Sequence, residues 1–228
     1  MRILSAVAAL SACVALSACR GGGTTATPEP EPRPSSTTTS VGARRPVGTD
    51  PGRAGRGTPL APREGNALAA FAAGCFWGVE DTFRQVPGVV ATAVGYTGGH
   101  TEDPTYEIVC AHKSGHAETV LIEFDPKRVS FATLVNVFFK NHDPTTMNRQ
   151  GPDVGDQYRS AIFTFDAEQE SIVRTATARE DAARNKKVVT LVSPIARFWI
   201  AEGYHQQYDE KTGTHSCPSP KGLPDQGI

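Results

Sequence analysis

The sequence predicts an α+β fold, a mixed β-sheet packed with helices. Three observations carry this expectation. Short apolar or alternating segments interleave with segments whose apolar residues recur at helical spacing. The glycine fingerprint of doubly wound nucleotide-binding folds is missing. Residues 65–228 number 164, enough for one domain with its own core.

The N-terminal quarter is of another kind. Arg2 is followed by an apolar run from Ile3 to Ala18 and then Cys19, the layout of an export signal and short for a membrane span. Leu16-Ser17-Ala18-Cys19 resembles the lipobox of bacterial lipoproteins, which implies lipidation of Cys19 after removal of the leader. Residues 1–19 are thus expected to be a lipoprotein signal peptide, and an ordinary cleaved signal or a single anchor helix is the alternative. Residues 20–64 are rich in Pro, Gly and Thr, with only Val41, Val47 and Leu60 as sizeable apolar side chains. Too little surface can be buried there to offset ordering entropy, so a disordered tether is expected, with a reach of about 35–40 Å. The net charge of −1 argues against a nucleic-acid binder.

Within 65–228 the elements read in order as follows. Ala67–Ala73 is a short apolar strand. Phe76, Val79, Phe83 and Val86 then line one helix face, until Pro87-Gly88 breaks it. Val89–Val94 reads as a strand, followed by the turn-rich Gly95-Tyr96-Thr97-Gly98-Gly99. Asp103-Pro104 reads as an N-cap with proline at the first helical position, placing Tyr106 in a short helical turn. In Glu118–Phe124, residues 118, 120, 122 and 124 share one face and 119, 121 and 123 the other, both carrying apolar side chains; this strand is central. Ser130 caps a helix with the face Phe131, Leu134, Val135 and Phe138. Residues 141–158 read as loop and 159–165 as a strand. Asp166, with Gln169 three residues on, opens a helix to about Arg184. Strands at 188–193 and 197–201, a helix over 203–212 and a C-terminal coil complete the chain.

Chemistry concentrates at Gly74-Cys75-Phe76-Trp77-Gly78-Val79-Glu80. Cys75 falls where strand gives way to helix. Unpaired N–H groups and the positive end of the helix dipole favour a thiolate there, the reactive form of the side chain. Phe76 and Trp77 place aromatic surface beside it. Glu118 is the one carboxyl in a core-facing set; if buried it stays protonated more readily, and if the strand's first residue reaches solvent it does not. Cys75 and Cys217 form either a redox pair, through a sulfenic acid condensing with the second thiol, or a static disulfide. Cys110 reads as a buried spectator. Cys110, His112 and His116 match no paired zinc pattern, so no metal is expected. His205 lies 130 residues after Cys75, which admits a cysteine hydrolase, but the cysteine-protease signature is missing. A thioredoxin-like exchanger would need Cys-x-x-Cys, which is also missing.

Seven segments in register carry a resemblance. They are the Cys75 segment, Gly95-Tyr96-Thr97-Gly98-Gly99, Pro104-Thr105-Tyr106, Gly115-His116-Ala117-Glu118, Asn141-His142-Asp143-Pro144, Gln157-Tyr158-Arg159-Ser160 and His205-Gln206-Gln207-Tyr208. Together they resemble the A-type peptide-methionine sulfoxide reductases, across nearly all of residues 67–217. The resemblance implies a two-layer sandwich with a ferredoxin-like core, spanning 65–228. It implies reduction of the S epimer of methionine sulfoxide, free or in proteins, with no bound cofactor. Cys75 would attack the sulfoxide sulfur, Glu118 would protonate the oxygen, and Tyr106 and Tyr158 would hydrogen-bond to it. Phe76 and Trp77 would hold the S-methyl group, with Asp153 close by. Cys217, nine residues after Tyr208, would resolve the sulfenic acid, although its surroundings Thr214-His215-Ser216-Cys217-Pro218 depart from the family's glycine-rich tail. The implied partner is an external thioredoxin-like dithiol. Together with the leader, the expectation is a monomeric, membrane-anchored repair enzyme in the cell envelope.

Overall fold

The computed structural model describes residues 47–185 and 187–214. The elements are β1 (Ala67–Ala73), α1 (Phe76–Arg84), β2 (Val89–Thr97), α2 (Tyr106–Cys110), β3 (Ala117–Phe124) and α3 (Phe131–Lys140), then the two-residue strands β4 (Arg149–Gln150) and β5 (Asp153–Val154). A 3-10 turn at Asp156–Tyr158 leads into β6 (Ser160–Thr164), α4 (Ala167–Ala183), β7 (Leu191–Pro194), β8 (Trp199–Ile200) and α5 (Tyr208–Thr212). The main sheet runs β7-β6-β1-β3-β2-β8. Among its described strands, β6 and β7 pair in parallel and the other neighbours antiparallel. The four central strands with α1 and α3 form the βαββαβ pattern of a ferredoxin-like core. The expected α+β class and mixed sheet are what the chain adopts.

Alternation in β1 and β3 divides the core. Phe71, Val120, Ile122 and Phe124 face the helices, where Phe71 stacks on Phe83 of α1 at 5.0 Å and on Phe138 of α3 at 5.4 Å. Such ring pairs add about 0.5–1.5 kcal/mol each beyond their buried area. Ser130 and Asp166 accept from the backbone N–H three residues on, at Thr133 and Gln169, and so cap α3 and α4 as their sequences require. On the opposite face Ala70, Ala72, Leu121, Phe163 and Phe198 form a smaller cluster.

That second face corrects the expected tether. Residues 47–66 lie on the domain: Gly48 pairs with Ala91, Pro51 and Gly52 are buried, and Ala54 and Leu60 pack on the smaller cluster. The reason is polar. The fully buried Glu123 carboxylate accepts from Gly52 N at 2.8 Å, Arg63 N at 3.0 Å, Arg63 Nη1 at 2.8 Å and Asn66 Nδ2 at 2.7 Å. Burial alone would raise its pKa, but these hydrogen bonds and the guanidinium hold it below the usual carboxylate range. Counting apolar side chains missed a strap fastened to a single buried charge. Residues 47–64, expected to be tether, are therefore part of the folded unit. Residues 1–46, with Cys19, and residues 215–228, with Cys217 and most of the expected C-terminal coil, lie outside the described residues.

Smaller corrections have local causes. Thr105, not Asp103, caps α2, its side chain accepting from Ile108 N. The expected helix over 203–212 is only Tyr208–Thr212, because Gln207 is in the left-handed region at φ 50°. β7 and β8 are shorter than their apolar runs, and the 141–158 loop contains the β4–β5 hairpin.

His142 sets an acid limit on this fold. The Phe138 carbonyl can only accept, so Nδ1 donates to it at 2.7 Å and Nε2 accepts from Ser160 Oγ at 2.7 Å. This neutral ring is buried, which pushes its pKa down to about 4. Unfolded histidine binds a proton near pH 6.5, so stability present above that pH is lost as pH falls toward 4. Denaturant titrations should lose about 3 kcal/mol over this window, and His142→Gln should flatten much of the slope. An unfolding free energy unchanged from pH 7 to 4.5 would contradict the assignment.

Candidate active site

Cys75 owes its position to a glycine. β1 ends at Ala73, and Gly74 turns the chain with φ +100°, a conformation that side chains rarely adopt. A Cβ there would stand 2.6 Å from Gln150 Cγ. Cys75 follows as the N-cap residue of α1 and is half-buried. The first N–H of the helix, that of Phe76, donates to Glu118 Oε2 at 3.1 Å. Glu118 is 2% exposed on the helix-facing side of β3, so the open question of strand end against core is answered in favour of the core. One helix terminus thus serves both the thiol and the carboxyl.

The two phenols come from different elements. Tyr106 opens α2 and Tyr158 ends the 3-10 turn, both half-buried. Burial pushes the Tyr158 hydroxyl above the ordinary phenol range, and charge on Glu118, Asp153, Cys110 and Cys75 adds to the effect. The Tyr106 hydroxyl is raised by burial first, then by its hydrogen bond with Cys110 and by charge on Glu118. Both are therefore neutral hydrogen-bond donors at physiological pH. Charge on Glu118 reaches both hydroxyls, and Asp153, Cys110 and Cys75 act on that of Tyr158, so these groups are electrostatic neighbours.

Cys110 is not the buried spectator of the sequence reading. It is half-buried at the end of α2, and its thiol and the Tyr106 hydroxyl one turn earlier shift each other's ionisation. The three residues of the zinc alternative face different partners. His116 is held between Thr101 O at 2.7 Å and Gly99 N at 3.2 Å, while His112 lies 3.4 Å from Asp156. Among the described residues no group of three or more His, Cys, Asp or Glu could hold a metal ion.

Phe76 and Trp77 play unequal parts. The Phe76 ring is 1% exposed and belongs to the core, whereas Trp77 is half-buried and so partly open to solvent. Trp77 is set by residues whose roles the sequence did not reveal. Its indole N–H donates to His205 Nδ1 at 3.0 Å, and Tyr208 stacks on it with centroids 4.0 Å apart. Between them, Gln206 clasps the Val94 backbone, accepting from its N–H and donating to its C=O, both at 2.9 Å. Gln207 donates from its backbone N–H and side-chain amide to Glu80, buried on α1, at 2.7 and 2.9 Å. Glu202 accepts from Tyr106 N at 2.9 Å and Tyr96 OH at 3.0 Å, which fixes the start of α2. The signal was present as His205-Gln206-Gln207-Tyr208, one of the segments that carry the family resemblance. His205 has Trp77 on one nitrogen and no hydrogen-bond partner on the other, so it is not a base paired with Cys75. The Cys–His hydrolase alternative falls with that geometry.

A thiol at a helix mouth with a buried carboxyl and two neutral phenols in its neighbourhood, and with His205 turned to Trp77, has the make-up of a cysteine-dependent redox enzyme rather than a hydrolase. Comparison with known proteins makes the class specific. The family model "Peptide methionine sulfoxide reductase" matches residues 67–223. The chain is 57% identical over 154 residues to the peptide methionine sulfoxide reductase MsrA of Methanosarcina acetivorans, covering 67% of this chain and 82% of that protein. The MsrA of Methanoculleus marisnigri is 50% identical over 160 residues, 69% of this chain and 98% of its own length. Methionine sulfoxide reductase A of Corynebacterium diphtheriae superposes with a TM-score of 0.63 at 34% identity, over 76% of this chain and 90% of the other. The chain belongs to the peptide methionine sulfoxide reductase family and is a thiol-dependent oxidoreductase.

Proposed function

We propose that this protein reduces the S epimer of methionine sulfoxide, free or within proteins, in a cycle carried by two cysteines. The observation that carries the reading is the convergence of Cys75 and Glu118 on the N-terminus of α1. The Cys75 thiolate attacks the sulfoxide sulfur while Glu118 delivers a proton to the oxygen, with Tyr106 and Tyr158 donating hydrogen bonds to the same atom. For its hydroxyl to serve, Tyr106 exchanges Cys110 for the substrate. Attack forms a bond between the two sulfurs. The S–O bond then breaks, the protonated oxygen passes to the Cys75 sulfur, and the bond between the sulfurs breaks as the thioether leaves. The substrate sulfur thus gains two electrons and Cys75 loses two as a sulfenic acid. Cys217 then displaces water from that sulfur to give a Cys75–Cys217 disulfide. A thioredoxin-like dithiol reduces the disulfide by exchange and leaves oxidised. Trp77, backed by Phe76, receives the S-methyl group, and Asp153 supports Tyr158 from the β4–β5 hairpin.

The leader Ile3–Ala18 with Cys19 supports an exported, lipid-anchored form that repairs oxidised proteins of the cell envelope. Among the described residues no helix is long and apolar enough to cross a membrane, and a lipid on Cys19 supplies the attachment. In an oxidising compartment the reducing equivalents come from a membrane-linked thioredoxin-like relay.

The test is a stereospecific assay of the purified full chain with dithiothreitol. Turnover of S-sulfoxide substrates, with R-sulfoxides left untouched, is the expected result. Equal rates on both epimers would contradict the proposed site.

A further inference from the structure

The strongest unexplained feature of the site is His205. Its side chain is 1% exposed, and its ring sits 4.1 Å from Tyr204, 4.6 Å from Tyr106 and 5.1 Å from Phe76, centroid to centroid. An indole N–H can only donate, so Nδ1 accepts from Trp77 and the proton of the neutral ring is on Nε2. That N–H is buried with no hydrogen-bond partner; Glu202 Oε2, the nearest carboxylate oxygen, is 3.9 Å away. A buried donor left unmet costs about 1–3 kcal/mol, and a native structure that keeps one calls for an explanation.

We infer that His205 is a positioning residue that fixes the Trp77 indole as the wall of the methyl pocket and so sets selectivity for S-methyl over larger sulfoxides. The inference rests on the proposed sulfoxide reductase reading, which places the S-methyl group against Trp77. Three constraints meet on Trp77, the half-buried aromatic two residues after Cys75. The hydrogen bond to His205 fixes the in-plane direction of the indole, the Tyr208 ring fixes its tilt at 13°, and Phe76 closes the edge behind. With two side-chain torsions thus held, binding a methyl group spends no ordering entropy on the wall. Without the acceptor the indole can swing about Tyr208 and widen the slot. The orphaned Nε2–H follows from holding the ring in the one tautomer that accepts from tryptophan.

Two replacements separate this role from packing. His205→Asn places an amide oxygen where Nδ1 stands and keeps the acceptor, whereas His205→Phe keeps the ring and loses it. With dithiothreitol as reductant, His205→Phe should raise KM for the methyl sulfoxide about fivefold to tenfold with kcat within about twofold. Its preference for methyl over ethyl sulfoxide should fall about tenfold, the size of one methylene in an apolar pocket. His205→Asn should restore both to within about threefold of the natural enzyme. Equal behaviour of the two variants, or an unchanged preference in His205→Phe, overturns the inference. If His205→Phe does not fold, the natural enzyme still answers, because the Trp77 indole proton should exchange slowly with water in NMR spectra; rapid exchange overturns the assignment. A natural enzyme inactive on every sulfoxide would bring down the reductase reading instead.

Discussion

Cys75→Ser should leave no measurable sulfoxide reduction, a loss on the order of 10⁴-fold or more in kcat/KM, the scale seen when a catalytic nucleophile is removed. The replacement preserves the geometry. Serine is a favoured N-cap, so the start of α1 and the Phe76 N–H donated to Glu118 remain, and stability changes little. What is lost is the sulfur. A hydroxyl is not ionised near neutral pH and cannot accept oxygen from a sulfoxide, so neither the attack nor the two-electron transfer has a substitute. Cys110 stands in the same neighbourhood but does not take over: burial pushes its thiol up, and it sits at the far end of α2 from the helix mouth that favours a thiolate. Retained turnover in Cys75→Ser would remove the nucleophile assignment.

Glu118→Gln should lower kcat by about 10²–10⁴-fold, the usual contribution of general acid catalysis, while the fold survives. The glutamine oxygen can still accept from Phe76 N–H, and its volume matches, so neither the helix start nor the β3 core face is disturbed. An amide cannot hand over a proton, and the oxygen would have to leave as a far poorer group. KM should move much less than kcat, because the ground-state sulfoxide still finds the Tyr106 and Tyr158 hydroxyls. A glutamine variant with full kcat would leave Glu118 as no more than a helix cap.

Much of this was legible in the chain before its fold was known. The two-residue alternation of Glu118–Phe124 and the apolar run of Ala67–Ala73 predicted the central strands, since both faces of each are covered. The break at Gly74 between strand and helix predicted where Cys75 stands. The strap over residues 47–66 was not legible, because it is held by several donors converging on Glu123 from distant positions, and composition carries no trace of such pairing. Tyr106 was placed correctly in a helical turn, yet its link to Cys110 required knowing that α2 begins at residue 106 and not earlier. The sequence offered His205 as a separation from Cys75, which admitted a hydrolase, and as part of a segment of the family resemblance, but in neither case with a partner. Its partner proved to be Trp77, and that follows only from the fold of residues 201–208 over α1.

The central claim is that one sulfur, that of Cys75, takes over the oxidation carried by the substrate. The most direct measurement is a single-turnover reaction of Cys217→Ser with an S-sulfoxide peptide, trapping sulfenic acid with a cyclic dione and mapping it by mass spectrometry while counting methionine formed. The account predicts about one methionine per enzyme and one trapped sulfenic acid, on Cys75. Methionine formed with no modification at Cys75, or with the adduct on Cys110, would contradict it.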